Sequence, residues 1–242
     1  MRKKKSLTLV TLNHRKIYNR LPIAWDGIPI IAISMAVTAL LFILDWYLFA
    51  ALMIVLTSFI IYFFRDPERS LIQDESAILT PADGKVLAIE HLQRGDKRYP
   101  EGAKKISIFM SLFNAHINRI PIKGRIRELS YHPGKFFSAN MDKASIYNEH
   151  NIVTLETHNR ATIIFVQIAG FIARRISCWV QEGDFVEAGQ RFGLIRFGSR
   201  LEVYLPPQCT VIVTKGQKVR AGQTVLGYLG EIEDEKENKA QE

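Results

Sequence analysis

Cysteine is nearly absent from this sequence. Only Cys178 and Cys209 carry a thiol among 242 residues, and neither belongs to a CxxC. Two isolated thiols supply neither a disulfide framework nor a structural zinc site, so they read as small buried apolar groups. Histidine is sparse as well, at six, with no HxxxH and no His/Cys grouping at ligand spacing, so the sequence gives no metal site. A Walker or Rossmann glycine pattern and a G-x-S-x-G elbow are missing, which sets aside nucleotide-binding and α/β-hydrolase readings. Acidic residues are in deficit, 24 against 32 Lys and Arg, for a formal net charge of +8. Because Glu231 to Glu242 is itself acidic, the rest is more basic still. Such a surplus favours an anionic partner, a nucleic acid or a phospholipid surface. No aromatic-basic RNA motif accompanies it, so nucleic acid ranks last.

Apolar residues, by contrast, make up 48% of the chain and are concentrated near its start. A basic leader, residues 1–26 with Arg2-Lys3-Lys4-Lys5, Arg15, Lys16 and Arg20, precedes two uncharged runs. These are Gly27 to Leu44 and Trp46 to Phe64, 18 and 19 residues long, parted only by Asp45. Each approaches the roughly 20 residues that cross a bilayer, and both exceed a signal-peptide core. Arg65 and Arg69 follow the second run, while the connection has no Lys or Arg. By the positive-inside rule both ends are cytoplasmic. The reading is a membrane hairpin of two helices at 27–64, with a buried hairpin of a soluble protein as its competitor.

From residue 65 to 230 the pattern changes to short strands punctuated by glycine and proline. Lys85 to Ile89, Lys105 to Phe109, Ile152 to Glu156, Ala161 to Ile168 and Gln208 to Val213 are the clearest. Ser138 to Tyr147 reads as a loop. The expected class is a mainly β domain, barrel-like or hybrid-sandwich-like, behind an N-terminal α-helical hairpin. The acidic tail at 231–242 lacks apolar periodicity and reads as disordered. An internal repeat is present: Val180 to Gln190 matches Val213 to Gln223 at an offset of 33, each a G-x-x-V-x-A-G-Q hairpin. Such hairpins resemble those of biotinyl and lipoyl carrier domains, although neither copy carries the lysine that those domains modify.

Three places concentrate polar groups among apolar ones. Pro81-Ala82-Asp83-Gly84 reads either as a turn or as a poised carboxylate. Phe109 to Pro121 carries His116, Asn118 and Arg119 just after a strand, and His116 has the pKa best suited to acid/base work. The third is Gly193 to Pro206, two short strands meeting at Gly198-Ser199. Taken alone, that pair is a hairpin turn; alternatively Ser199 is a nucleophile beside a strained carbonyl. The residues leave both open. A Ser, an Asp and a His in one β domain permit a triad without showing that the three meet.

Thr80 to Val86, Phe109 to Pro121, Gln167 to Ile176 and Arg196-Phe197-Gly198-Ser199-Arg200 occur together and in this order. In these four motifs the chain resembles the phosphatidylserine decarboxylase family, short form, over about Arg65 to Leu229. The resemblance implies a pyruvoyl-dependent lyase made as a proenzyme that cleaves itself at Gly198-Ser199. The Ser199 hydroxyl would attack the Gly198 carbonyl. The products would be a large chain, 1–198, and a small chain, 199–242, whose new terminus is a pyruvoyl group. That group would form a Schiff base with phosphatidylserine, lose carbon dioxide and give phosphatidylethanolamine. Asp83 matches the acidic member of the processing site and His116 the acid/base residue. Arg119 stands where longer forms carry a second histidine, and with Asn118 it is a candidate substrate-binding residue. The implied partners are anionic phospholipid and the cytoplasmic membrane, with the catalytic domain on the cytoplasmic side. Two other readings remain: an archaetidylserine decarboxylase, and a non-enzymatic membrane-anchored adaptor with a biotinyl/lipoyl-like barrel.

Overall fold

The computed structural model describes residues 16–92, 99, 101–134, 148–170, 175–196 and 199–230. Most of the basic leader, the loop expected at 138–147, Gly198 and the acidic tail lie outside the described residues. The two apolar runs form helices α1 (Ile28–Ile43) and α2 (Tyr47–Phe63). Asp45, between them, takes a left-handed conformation at φ 59° and turns the chain back on itself. Inside the pair polar meets polar, with Ser34 Oγ 2.6 Å from Thr57 Oγ1. Outside, Ile33, Met35, Phe42, Leu48 and Val55 are all exposed. Trp25–Ile43, including a 3-10 turn, is a 19-residue apolar segment of mean hydropathy 2.1, long enough to cross a membrane; α2 is shorter, at 17 residues.

The base of the helix pair is fixed to the β domain. Ala24 N–H donates to Phe64 O at 2.8 Å and Asp66 N–H to Pro22 O at 2.7 Å. Ala24, Phe63 and Phe64 then pack with Ile117, Trp179 and Leu194 in one apolar cluster.

Fourteen strands occur among the described residues: β1 (Ala77–Leu79), β2 (Gly84–His91), β3 (Lys104–Met110), β4 (Ile117–Arg119), β5 (Gly124–His132), β6 (His150–Glu156), β7 (Thr162–Ile168), β8 (Ile176–Cys178), β9 (Phe185–Val186), β10 (Arg191–Ile195), β11 (Ser199–Leu205), β12 (Thr210–Val211), β13 (Lys218–Val219) and β14 (Val225–Tyr228). They make an eight-stranded sheet, β13-β2-β3-β11-β7-β6-β5-β9, and two three-stranded sheets, β1-β14-β12 and β4-β10-β8. The mainly β expectation holds. Each of these sheets ends in edge strands, so among the described residues no closed barrel forms.

The hairpin reading of Gly193 to Pro206 is overturned. β10 pairs with β4 and β8, whereas β11 pairs with β3 and β7. The two strands therefore belong to different sheets, and residues 196–198 connect those sheets. The physical reason is burial: every residue of β11 is buried, and only a central strand with two neighbours satisfies its backbone there.

The repeat is real in three dimensions. Gly183 and Gly216 have φ of 89° and 88°, and Gly189 and Gly222 have 73° and 70°, left-handed turns that glycine adopts without strain. Gly183 N–H donates to Ile126 O and Gly216 N–H to Val86 O, both at 2.8 Å. β9 pairs with β5 at Gly124 and β13 with β2 at Gly84. These contacts expose a second duplication, of Thr80-Pro81-Ala82-Asp83-Gly84-Lys85-Val86 with Ile120-Pro121-Ile122-Lys123-Gly124-Arg125-Ile126. The domain thus contains two copies of one unit, and Asp83 occupies the place that Lys123 holds in the other.

Candidate active site

Ser199 opens β11 and is fully buried. Its neighbours across the sheet are Met110 of β3 on one side and the end of β7 on the other. Ser199 Oγ–H donates to Met110 Sδ at 3.2 Å. Side chains alternate along a strand, so in β4 Asn118 points one way while Ile117 and Arg119 point the other. Asn118 points to Met110, its Nδ2 3.8 Å from the same sulfur. Gln167 of β7 donates from Nε2 to Asn118 Oδ1 at 2.8 Å and accepts from Asn151 Nδ2 at 3.0 Å. Gly193 of β10 makes room: a Cβ there would lie 2.8 Å from Gln167 Nε2. Serine, thioether and three amides thus form one buried polar string.

His116 lies two residues before Asn118, at the start of β4, and is fully buried. Its Nδ1 is 3.0 Å from Asn114 O, a carbonyl, so Nδ1 carries the hydrogen and Nε2 is left as an acceptor. Nε2 has no partner. Burial pushes the imidazole down to about 4; the Asn114 carbonyl opposes this, and the Arg65 charge lowers it further. At neutral pH the ring is an uncharged base with a free lone pair. The loop before it is held to the end of α2: Tyr62 Oη–H and Arg65 Nη2 both donate to Phe113 O, at 3.2 and 2.7 Å. Phe113 itself is exposed and lies beside Phe59.

The family model for phosphatidylserine decarboxylase matches residues 56–227. A protein of Desulfotalea psychrophila, named phosphatidylserine decarboxylase proenzyme, is 44% identical over 211 residues, 87% of this chain and 98% of that one. Proteins of the same name from Geotalea uraniireducens and Syntrophus aciditrophicus are 46% and 47% identical, covering 86% and 85% of this chain and 97% and 96% of theirs. The chain belongs to the phosphatidylserine decarboxylase family.

Within this family member, Asp83 and Arg119 stand apart from Ser199. Asp83 lies in the turn before β2, and both carboxylate oxygens are taken: Oδ1 accepts from Ala221 N–H at 2.7 Å and Oδ2 from Arg69 Nη2 at 2.7 Å. No hydrogen bond joins it to Ser199 or His116 among the described residues. It anchors the Ala221-Gly222-Gln223 turn of its own repeat, whereas Lys123 of the other copy is exposed beside Glu187, 3.2 Å away. Arg119 leaves the opposite face of β4 from Asn118. Its guanidinium donates to Gly189 O at 2.9 Å and Pro67 O at 3.0 Å, with Asp66 3.6 Å away. Burial, chiefly, and the Arg191 charge lower it to about 10. A cleft of about 470 Å³ adjoins it, lined also by Arg20, Arg69 and Arg191.

The centre of that cluster is Asp66. Its carboxylate, almost fully buried, accepts from Arg191 Nε at 2.8–3.0 Å and from Asn19 Nδ2 at 2.9 Å. On the far face of β11, Arg200 is held by Glu202 at 2.9 Å and by Ser107 Oγ at 2.8 Å. Sequence reasoning gave no role to Met110, Asn151, Gln167, Asp66 or Arg200. Met110, Gln167 and Arg200 lay inside the quoted motifs, so the signal was there. Asp66 and Asn151 lay outside them.

Proposed function

We propose that the chain is a self-cleaving phosphatidylserine decarboxylase, a carbon–carbon lyase held at the cytoplasmic membrane by its helix pair. The observation that carries the reading is Ser199. In a member of this family it starts a buried central strand and is itself fully buried. The names of the relatives favour phosphatidylserine over archaetidylserine, and family membership removes the adaptor reading.

A pyruvoyl group at position 199 fits these surroundings. Among the described residues the hydrogen-bond partner of Ser199 Oγ is a neutral thioether, so replacing the hydroxyl by a keto oxygen strands no charged partner there. When present, the group supplies an electrophilic carbonyl and an electron sink for loss of carbon dioxide from a serine headgroup. The chain supplies the rest. β3 holds residue 199 in register through Met110, and β7 pairs with the strand from Arg200 onward, after the bond before residue 199 is broken. His116, neutral and with Nε2 free, takes or returns a proton at the headgroup. The exposed Phe113 and the apolar end of α2 put His116 next to lipid, so a substrate that barely leaves the bilayer meets the site at high effective concentration. Arg20 and Arg65 at the base of the helices suit attraction of anionic headgroups, and the positive charge flanking the helix pair supports a cytoplasmic side for the 65–230 domain. Arg119 serves as frame. Each Asp83 oxygen keeps a lone pair beyond its bond to Ala221 or Arg69, so taking the Ser199 proton requires bringing the two groups together rather than releasing a partner.

Intact-mass measurement of the purified protein, with and without Ser199→Ala, tests the reading. Cleavage before residue 199 and a hydrazine-reactive small chain, both lost in the variant, are expected. A single uncleaved chain that still decarboxylates phosphatidylserine would refute it.

A further inference from the structure

The buried amides next to Ser199 run in one direction. Asn151 Nδ2 donates to Gln167 Oε1, and Gln167 Nε2 donates to Asn118 Oδ1, so the NH2 group of Asn118 is turned toward Met110 Sδ. Ser199 Oγ reaches that same sulfur. All five residues are 0–5% exposed. A thioether is a weak acceptor, and 3.8 Å is a long contact even for sulfur. Among the described residues this fully buried amide N–H2 therefore has no strong acceptor, and an unmet buried donor is normally costly. It shares the Met110 sulfur with Ser199 Oγ, so it sits beside the residue whose attack creates a new negative charge.

That charge arises in the self-cleavage proposed above, on which this inference rests. Ser199 Oγ bonds to the carbonyl carbon of residue 198, and the carbonyl oxygen becomes an oxyanion. The carbonyl then reforms as the C–N bond breaks; its electron pair goes to the nitrogen of residue 199, which takes up the hydroxyl proton. The ester is an isomer of the starting chain, and no co-reactant is consumed. We infer that Asn118 donates its side-chain N–H to this oxyanion, and that Gln167 is the positioning residue that keeps that amide the right way round. Asn118 is the catalytic group; Gln167 acts only through it.

Gln167→Glu tests this at constant size. The carboxylate accepts from Asn118 rather than donating to it, which turns the Asn118 oxygen toward Ser199. Cleavage of freshly purified uncleaved protein is expected to slow on the order of a hundredfold, the usual effect of losing one oxyanion donor. Because the attack itself is blocked, no ester accumulates, and hydroxylamine, which cuts esters, leaves the chain whole. Lowering the pH protonates the buried carboxyl. Its O–H then replaces the lost N–H donor, so cleavage by Gln167→Glu recovers, while wild type does not accelerate. Wild-type cleavage by folded Gln167→Glu would overturn the inference. So would a slow variant that hydroxylamine cuts, since its ester forms normally. Should Gln167→Glu fail to fold, Gln167→Met decides: it keeps the volume and loses the orienting donor, and an undiminished cleavage rate refutes the assignment. Failure of the wild-type chain to cleave would instead sink the self-cleavage reading itself.

Discussion

Phe63, the last residue of α2, lies against His116 with ring centroids 4.2 Å apart and planes tilted by 36°. The apolar helix α2 therefore also walls the imidazole proposed to move the headgroup proton. The family match opens at residue 56, inside α2, so the end of this helix belongs with the catalytic unit. Desolvation is the largest cause of the depressed His116 pKa, and Phe63 provides part of it.

Phe63→Ala should admit water beside the ring. The His116 pKa then rises from about 4 toward the ordinary value of about 6.5. Neutral imidazole is the active base, so activity is lost below its pKa, and the acid limb of the rate profile moves to higher pH. Decarboxylation by cleaved enzyme, followed from pH 4 to 8, should show that limb displaced upward by at least about one unit. An unmoved limb would show that Phe63 does not shield the base.

The same burial makes stability depend on pH. Above about 6.5 both folded and unfolded chains hold His116 neutral. Between there and about 4 the unfolded chain binds a proton that the folded one excludes, so stability falls as pH falls. The full effect is roughly 3 kcal/mol, and about 2 of it is spent by pH 5. His116→Gln lacks this contribution. Its melting temperature should fall less than that of wild type between pH 7 and 5, and parallel falls would exclude a buried neutral histidine.

The helix pair and most strands were legible in the sequence because each rests on local periodicity: two uncharged runs of helical length and alternating β-branched segments. The repeat was legible at 180–190 and 213–223 for the same reason. Its other half was not, because Thr80-Pro81-Ala82-Asp83 and Ile120-Pro121-Ile122-Lys123 share few side chains and are matched by backbone contacts to Gly222 and Gly189. The strand pairings of β10 and β11 were also hidden, since a Gly-Ser pair between two strands looks alike in a hairpin and in a change of sheet. At the site, the motifs pointed to Ser199 and His116, and both are fully buried. The partners of Ser199 come from β3, β4, β6 and β7, and no linear pattern announces that Met110, Asn118, Asn151 and Gln167 converge. Arg119 illustrates the limit best. Its position in the motif suggested the substrate, and only the alternation along β4 reveals its bonds to Gly189 O and Pro67 O beside Asp66.

Asp66 ties the base of the helices to the second repeat by accepting from Asn19 and Arg191 and facing Arg119. Asp66→Asn leaves two buried guanidinium groups without their counter-charge. Removing one partner of a buried ion pair costs about 3–5 kcal/mol, so the melting temperature in detergent should drop sharply. Surviving folded enzyme should retain its KM, because Asp66 lies on the frame side of β4. A variant as stable as wild type would mean that the cluster is not held by this carboxylate.

Asp83 differs from its counterpart Lys123 in being buried and bonded to Arg69, which gives two separable roles. As a strut it holds Ala221 and Arg69; as a base it accepts the Ser199 proton on a remaining carboxylate lone pair. Asp83→Asn keeps the acceptor for Ala221 N–H but loses the charge. Arg69→Met removes the ion pair and leaves the carboxylate intact and freer. If the carboxylate is the base, Asp83→Asn slows self-cleavage by more than about tenfold, while Arg69→Met lowers the melting temperature without slowing cleavage. The time course of small-chain appearance on a gel measures both. Equal slowing in the two variants would assign Asp83 to the frame, alongside Arg119, and return the search for the base to the surroundings of Ser199.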